Sequence, residues 1–389
     1  MTTSKKQRSH PLTEAERQQK FQPQPALKKD VEIAISYPHL VAGAETSQVN
    51  LESHQVDALT VQYDEPTENN QIAASPKSLS LDLIVKVSSP GVRVFPSSVP
   101  ATAIDLTDSL RAELQQQTSE TLEGYLPEHL PFHPMPDPLE ASLKRHTRKT
   151  ASRKLAKGDM QPTTIFGVDD RRVFSDTSYP WGTAGRVTTA GGVASGVMVG
   201  PRHLLTVSHT ITWNPDGSTG WLNFTPAYFD GSQPFGSANA VKTYYYRKVS
   251  GPTIDEAEQR EDFVVVALDQ RIGDRSGWMG SKSYTDAWDG SAAWSHIGYP
   301  ADINSTQRPI YQGSIALDGA SSQDDSHERI DHLGDVFPGQ SGGPFFSWWS
   351  GDRTPYVVAV QSGQSPSVNS ASGGSYIVNL IKLALTEFP

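Results

Sequence analysis

The chain has 389 residues, 36% of them apolar, with 31 glycines and 28 prolines, which predicts a β-rich globular domain joined to polar, poorly ordered segments. A net charge of −10 argues against nucleic acid as a partner, because phosphate binding needs a basic face. The lack of cysteine excludes disulfides, thiolate zinc sites and a cysteine nucleophile.

The N-terminal residues 1–30 are charged and rich in glutamine, and we predict that they form a disordered tail. They contain no apolar run of the length found in secretory signal peptides. Nowhere does the chain approach the roughly 18 consecutive apolar residues of a membrane span. The sequence therefore predicts no membrane insertion, and it leaves the compartment unknown.

Residues 31–143 are interpreted as a pro-region or regulatory extension. Alternating apolar and polar residues predict short strands at residues 31–35 and 81–87. A helix is expected over residues 105–125, with Asp105 or Thr107 as its cap. The proline-rich stretch that follows predicts a linker or an extended arm.

A basic cluster lies in the next segment, where seven of the fourteen residues from 144 to 157 are Lys or Arg. We interpret residues 144–164 either as a solvated linker or as a processing segment, whose cleavage would free the following domain and make the chain a zymogen. No aromatic residues are interleaved with the charges, which disfavours nucleic-acid binding.

From residue 167 onward, short β-branched and aromatic runs alternate with turn residues. They occur at residues 196–199, 204–207, 263–268 and 357–360. Runs of this length and spacing predict a sandwich or barrel rather than βαβ units. Residues 375–385 place apolar groups on a helical stripe, so the predicted domain is all-β with one C-terminal helix.

The string GQSGGP at residues 339–344 has the features that a nucleophilic serine requires. The hydroxyl must stand clear of the backbone, a base must reach it, and amide groups must face the developing oxyanion. Glycines on both sides of Ser341 permit a tight turn and close approach of a substrate. Gly339 and Ser341 would supply the two backbone donors of an oxyanion hole.

The candidate base is His209, which ends an apolar strand, and the candidate acid is Asp262, which opens another. A buried carboxylate at that position needs a hydrogen-bond donor, and a histidine N–H would fix the tautomer of the base. The order His, Asp, Ser, with spacings of 53 and 79 residues, matches the chymotrypsin-type triad and not the α/β-hydrolase order.

Four segments together resemble the glutamyl-endopeptidase branch of the trypsin-like serine proteases. They are residues 165–171 with 179–181, residues 207–209, residues 262–263 with 268–274, and residues 335–344. The resemblance implies a peptidase domain over residues 165–389, built of two six-stranded antiparallel β-barrels with the triad between them. It also implies endopeptidase activity through an acyl-enzyme, polypeptide substrates, no cofactor or metal, and secretion. We further expect a monomer.

The expected substrate-binding positions are Asp335, Val336, Gln361, Ser362 and Gly363. Val336 and Gln361 depart from the hydroxyl residue and the histidine with which glutamate-preferring members bind a carboxylate. Asp335 stands where trypsin-type enzymes bind Arg or Lys, although the branch itself also carries an aspartate there. His332 is a further candidate for the pocket. The cleavage preference therefore stays open between acidic, basic and other residues.

Another departure concerns the position before the nucleophile, which is Gln340. Digestive trypsins hold an aspartate there that pairs with a new N-terminal amine, and this activation route is not available here. The alternative to an active peptidase is a catalytically silent, protease-like module that binds partners in its cleft. Ester hydrolysis as the main activity is compatible with the same triad.

Overall fold

The computed structural model describes residues 10–27, 100–116, 121–137, 139, 165–251, 253–319 and 326–389, together with strands β1 (Leu59–Tyr63) and β2 (Val92–Pro96). It divides into two compact units. One unit, Ala34–Pro100, contains β1 and β2, which pair antiparallel. The other comprises Met1–Ile33 and Ala101–Pro389. The strands predicted at residues 31–35 and 81–87 and the basic cluster lie outside the described residues.

The larger unit contains sixteen strands among its described residues. They are β3 (Thr102–Ile104), β4 (Arg172–Val173), β5 (Ala184–Thr189), β6 (Gly192–Gly200), β7 (His203–Thr206), β8 (Leu222–Pro226), β9 (Ala238–Tyr245), β10 (Val264–Leu268), β11 (Gly280–Ser281), β12 (Trp294–Gly298), β13 (Ile310–Ile315), β14 (Leu317–Gly319), β15 (Glu328–His332), β16 (Pro344–Ser347), β17 (Tyr356–Gln364) and β18 (Asn369–Gly373).

Five helices accompany the strands in the described residues. They are α1 (Glu14–Lys20), α2 (Asp108–Gln116), α3 (Glu256–Arg260), α4 (Gly273–Ser276) and α5 (Ser375–Glu387), with short 3-10 turns at Trp181–Thr183, Ser208–Thr210, Asp286–Trp288 and Asn304–Thr306. None of the helices in the described part of the chain combines the length and apolar composition that crossing a membrane requires.

Strands β5 to β10 form a closed barrel. Their order is β10-β7-β6-β5-β8-β9, and β9 pairs back onto β10. Alternate residues of these strands point inward, so that Val187, Met198, Leu204, Phe224 and Val266 form one buried core. Strand β3 extends this sheet by pairing parallel to the edge of β9.

Strands β12 to β18 form a second sheet in the order β14-β15-β18-β17-β16-β12-β13, with β4 beside β13. This sheet curls on itself because β13 and β14 lie near its opposite ends and only Ala316 separates them in sequence. Trp294, Phe345, Val358 and other apolar residues fill its interior. The expected all-β fold with a C-terminal helix is confirmed.

The N-terminal region differs from its prediction. The disorder expected for residues 1–30 is wrong for residues 10–27, which contain α1 with a reciprocal capping box between Thr13 and Glu16. The helix expected over residues 105–125 is shorter, Asp108–Gln116, and Thr107 caps it through its hydroxyl. The division of the chain also differs, since residues 101–137 belong to the same compact unit as the peptidase domain.

Candidate active site

The structure brings the side chains of His209, Asp262 and Ser341 together. Strands β7 and β10 pair antiparallel, with Thr206 opposite Val264. His209 follows the end of β7 and Asp262 precedes the start of β10, so both side chains lie at one end of the first barrel. Ser341 lies in the loop before β16 of the second sheet. Its hydroxyl is 3.1 Å from Nε2 of His209, and Nδ1 of His209 is 2.6 Å from Oδ2 of Asp262.

Asp262 is fully buried, and each of its oxygens accepts hydrogen bonds. The backbone amide of His209 donates to Oδ1 at 2.8 Å, and the hydroxyl of Ser362 donates to Oδ2 at 2.6 Å. Burial alone would lower the pKa of His209, but the charge of Asp262 and its hydrogen bond outweigh burial and raise that pKa above 6.5. Because Nδ1 donates to Asp262, Nε2 of a neutral His209 is free to accept the serine proton.

The loop around Ser341 is fixed by contacts with the first barrel. Ser195 on β6 donates its amide to the carbonyl of Ser341 and its hydroxyl to the carbonyl of Gly339, each at 2.8 Å. Gly339 has a φ of +102°, and a Cβ there would collide with the carbonyl oxygen of Tyr299. Among the described residues, the amides of Gly339 and Ser341 donate to no backbone carbonyl. These two amides are the candidates for the predicted oxyanion hole.

Sequence reasoning missed Arg171, whose buried guanidinium reaches the residue before the nucleophile. Its Nη1 donates to Oε1 of Gln340 at 3.0 Å, and its other donors bind both oxygens of Asp169 and of Asp302. Gln340 in turn donates through Nε2 to the carbonyl of Asp335. Arg171 is therefore a positioning residue for the loop. The only signal in the sequence was the pair of aspartates that precedes it.

Of the expected substrate-binding positions, Asp335 is turned toward the segment before β4. Its Oδ1 accepts the amide of Phe166 at 2.8 Å, and its Oδ2 accepts the amide of Asp170 at 3.2 Å. Burial raises the pKa of this carboxyl, while the two amide hydrogen bonds oppose that effect. Both of its oxygens are thus engaged by the protein itself.

The side-chain amide of Gln361 also has all its hydrogen-bond partners within the protein, and one of them is His332. The amide of Gly334 donates to Nδ1 of His332, so Nε2 carries the proton and donates to Oε1 of Gln361 at 2.9 Å. The amide group of Gln361 donates to the carbonyls of Gly363 and Ser370. Burial lowers the pKa of His332 to about 3, which keeps the imidazole neutral. Ser362 faces Asp262, and Val336 is buried.

No family model matches the chain. Among curated proteins, a glutamyl endopeptidase of Bacillus licheniformis is 28% identical over 236 residues, which is 59% of this chain and 68% of that protein. Among solved structures, a Glu endopeptidase in complex with MPD aligns with a TM-score of 0.46 at 20% identity, over 57% of this chain and 99% of its own. The protease Anisep from Arthrobacter nicotinovorans aligns with a TM-score of 0.38 at 21% identity, over 51% of this chain and 91% of its own.

The closed barrel joined to a second curled sheet, with a serine, a histidine and a buried aspartate where they meet, is the architecture of the trypsin-like class of serine proteases. Within that class, the similarity to the Bacillus protein confirms the resemblance to the glutamyl-endopeptidase branch. It also confirms the expectation that this chain is a serine-type endopeptidase.

Proposed function

We propose that the chain hydrolyses peptide bonds through an acyl-enzyme on Ser341, with His209 as general base and Asp262 as its orienting acid. The observation that carries this proposal is the continuous hydrogen-bond chain from Ser341 through His209 to Asp262, with distances of 3.1 and 2.6 Å. Triads are recognised by this geometry and these roles rather than by sequence position. The relative named a glutamyl endopeptidase supports peptide-bond hydrolysis as the reaction class.

In the first half of the reaction, Oγ of Ser341 attacks the carbonyl carbon of the scissile bond while Nε2 of His209 takes its proton. The negative charge on the carbonyl oxygen is stabilised by the amides of Gly339 and Ser341, a contribution of about 2.7–4 kcal/mol for one such donor. His209 then protonates the leaving amine. In the second half, water attacks the ester with His209 again as base, releasing the acid and the free serine.

Labelling with a fluorophosphonate probe tests this assignment, since the probe reacts only with an activated serine. The wild-type chain should be labelled, and Ser341→Ala should abolish labelling and lower peptide turnover by about a million-fold. Ser350→Ala, at an exposed serine, is the matched control and should behave as wild type. Labelling that persists in Ser341→Ala would contradict the proposed nucleophile.

We further propose that the residue on the acyl side of the scissile bond is uncharged. The relative is named a glutamyl endopeptidase, but here His332 is neutral, Gln361 uses both amide hydrogens within the protein, and Asp335 accepts two backbone amides. An acidic side chain entering this pocket would be desolvated without a counter-charge, and a basic one would meet a carboxylate whose two oxygens are already held by backbone amides, so either entry is costly.

A peptide library cleaved by the purified enzyme tests this preference. Uncharged residues should dominate the acyl side of the cleaved bonds, with Glu, Asp, Arg and Lys all disfavoured. The Ser341→Ala variant serves as the control for contaminating proteases. Dominant cleavage after Glu would show that a positive group reaches the pocket, and dominant cleavage after Arg or Lys would show that Asp335 turns toward the substrate.

A further inference from the structure

The N-terminal region does not sit apart from the peptidase domain. Its residues 10–27, 101–116 and 121–137, here called the N-terminal strap, run along the surface of residues 165–389 and bind it through the backbone. Reciprocal amide-to-carbonyl pairs join Leu122 to Ser281 at 2.9 and 2.8 Å, and join Tyr125 to Trp278 at 2.9 and 3.1 Å. Strand β3 is a full member of the first barrel's sheet. The strap therefore supplies parts of the fold and is more than a linker.

Arg17 of α1 is the most deeply inserted strap residue. It is fully buried, and its guanidinium lies 4.3 Å from the centre of the Trp348 ring. Nη1 donates to the hydroxyl of Ser295 at 3.1 Å, and Nη2 donates to the hydroxyl of Tyr311 at 3.0 Å. Removal of the strap would expose the apolar ring and break both hydrogen bonds, so this contact favours the bound state, less the desolvation of the guanidinium, whose Nε has no hydrogen-bond partner in the described part of the chain.

The strap also contributes apolar side chains to the interior. Phe132, Leu106 and Leu114 are almost completely buried, and the last two belong to the core cluster that contains Trp181 and the face of α5. The side chain of Asn379 on α5 donates to the carbonyl of Leu114 at 2.7 Å. Departure of the strap would open this core to water, at a cost proportional to the apolar area exposed.

The strap makes no hydrogen bond to the catalytic groups. Within the described residues, it bonds to Trp278, Ser281, Tyr246 and α5 rather than to His209, Asp262 or Ser341. The imidazole of His209 retains 18% exposure. An inhibitory pro-region has to dissociate because it fills the cleft. The strap residues bind elsewhere on the domain, so activity does not require their dissociation.

From these contacts we infer that the strap is a permanent subunit of the enzyme. When water hydrolyses one peptide bond between residues 140 and 164, producing a carboxylate and an amine, the N-terminal chain stays bound. The mature enzyme is then a non-covalent complex of two chains. The strap, a segment of this same polypeptide, occupies the surface formed by Ser281, Trp278, Trp348 and α5.

The test uses the full chain with Ser341→Ala, so that it does not depend on activity. A recognition sequence for a site-specific viral protease replaces residues 144–157, the protein is cut to completion, and the products are run on a sizing column in native buffer and in urea. Both fragments should co-elute in native buffer at equal molar amounts and separate in urea. Separate elution of the N-terminal fragment in native buffer, with the C-terminal fragment still folded by circular dichroism, would overturn the inference.

A pair of variants in α1 tests whether the contacts described here hold the strap. Arg17→Met should raise the dissociation constant of the cut complex at least tenfold. Lys20→Met removes a cation from the same helix, where Lys20 is exposed and bonds only to the hydroxyl of Ser350 among the described residues, and it should change that constant less than twofold. Equal effects of the two substitutions would contradict the role of Arg17. If Arg17→Met does not fold, co-elution of the cut parent protein decides the inference.

Discussion

Replacing Arg171 with methionine should slow the chemical step without touching the triad. The substitution keeps a long apolar stem and removes the guanidinium that binds Oε1 of Gln340 at 3.0 Å. Gln340 precedes the nucleophile, and its side chain also receives the amide of Phe337. Without Arg171 the loop keeps its backbone turn but loses the charged group that holds Gln340, so the oxyanion donors become less well ordered.

The expected magnitude comes from this one hydrogen bond. A hydrogen bond to a charged group contributes about 1.5–3 kcal/mol. If that energy is lost from the transition state, kcat falls by about 10- to 150-fold. Removing one partner of a buried ion pair costs about 3–5 kcal/mol of stability. Asp169 and Asp302 are 43% and 28% exposed, so water can solvate their freed carboxylates and the loss of stability should be smaller.

The assay measures kcat and KM for a peptide substrate, together with the free energy of unfolding in urea. Arg171→Met should lower kcat more than it changes KM, Arg171→Lys should recover part of the rate, and the pH profile set by His209 should not move. Arg172→Met is the matched control, since Arg172 is the next residue and is exposed. A kcat within twofold of wild type in Arg171→Met would refute the reasoning.

Two further predictions concern pH. Asp262→Asn should lower kcat by about 10⁴-fold. Because Asp262 raises the pKa of His209 above 6.5, kcat/KM of the wild type should begin to fall above pH 6.5 as the pH decreases, and this fall should move to lower pH in the variant. An acid limb of the pH profile that does not move would contradict this role of Asp262. Burial lowers the pKa of His203 and of His296 to about 4, so stability present above pH 6.5 is lost as pH falls toward 4. Between pH 7 and 5.5 each residue should reduce the free energy of unfolding by about 1 kcal/mol, offset in part by His209. Urea titrations of Ser341→Ala measure this, and a constant free energy would argue against neutral buried imidazoles.

Local patterns in the sequence were enough to predict much of the fold. The apolar runs at residues 196–199 and 357–360 lie within β6 and β17, and the stripe at residues 375–385 lies within α5. These predictions succeed because periodicity depends on which face of an element is buried. The composition of residues 1–30 was misleading, although the Thr13–Glu16 pair is a capping-box signature that could have predicted α1.

The sequence by itself determined which reactive groups the chain carries. They are a serine in a glycine-rich string, a histidine after one apolar strand and an aspartate before another, in the chymotrypsin-type order along the chain. Only the tertiary structure decided that Arg171 reaches Gln340, that the polar groups of Asp335 and Gln361 are already satisfied, and that Arg17 stacks on Trp348. These contacts join residues 29 to 331 positions apart or depend on the direction of a side chain. Strand register and packing set such distances, and neither is written in a local pattern.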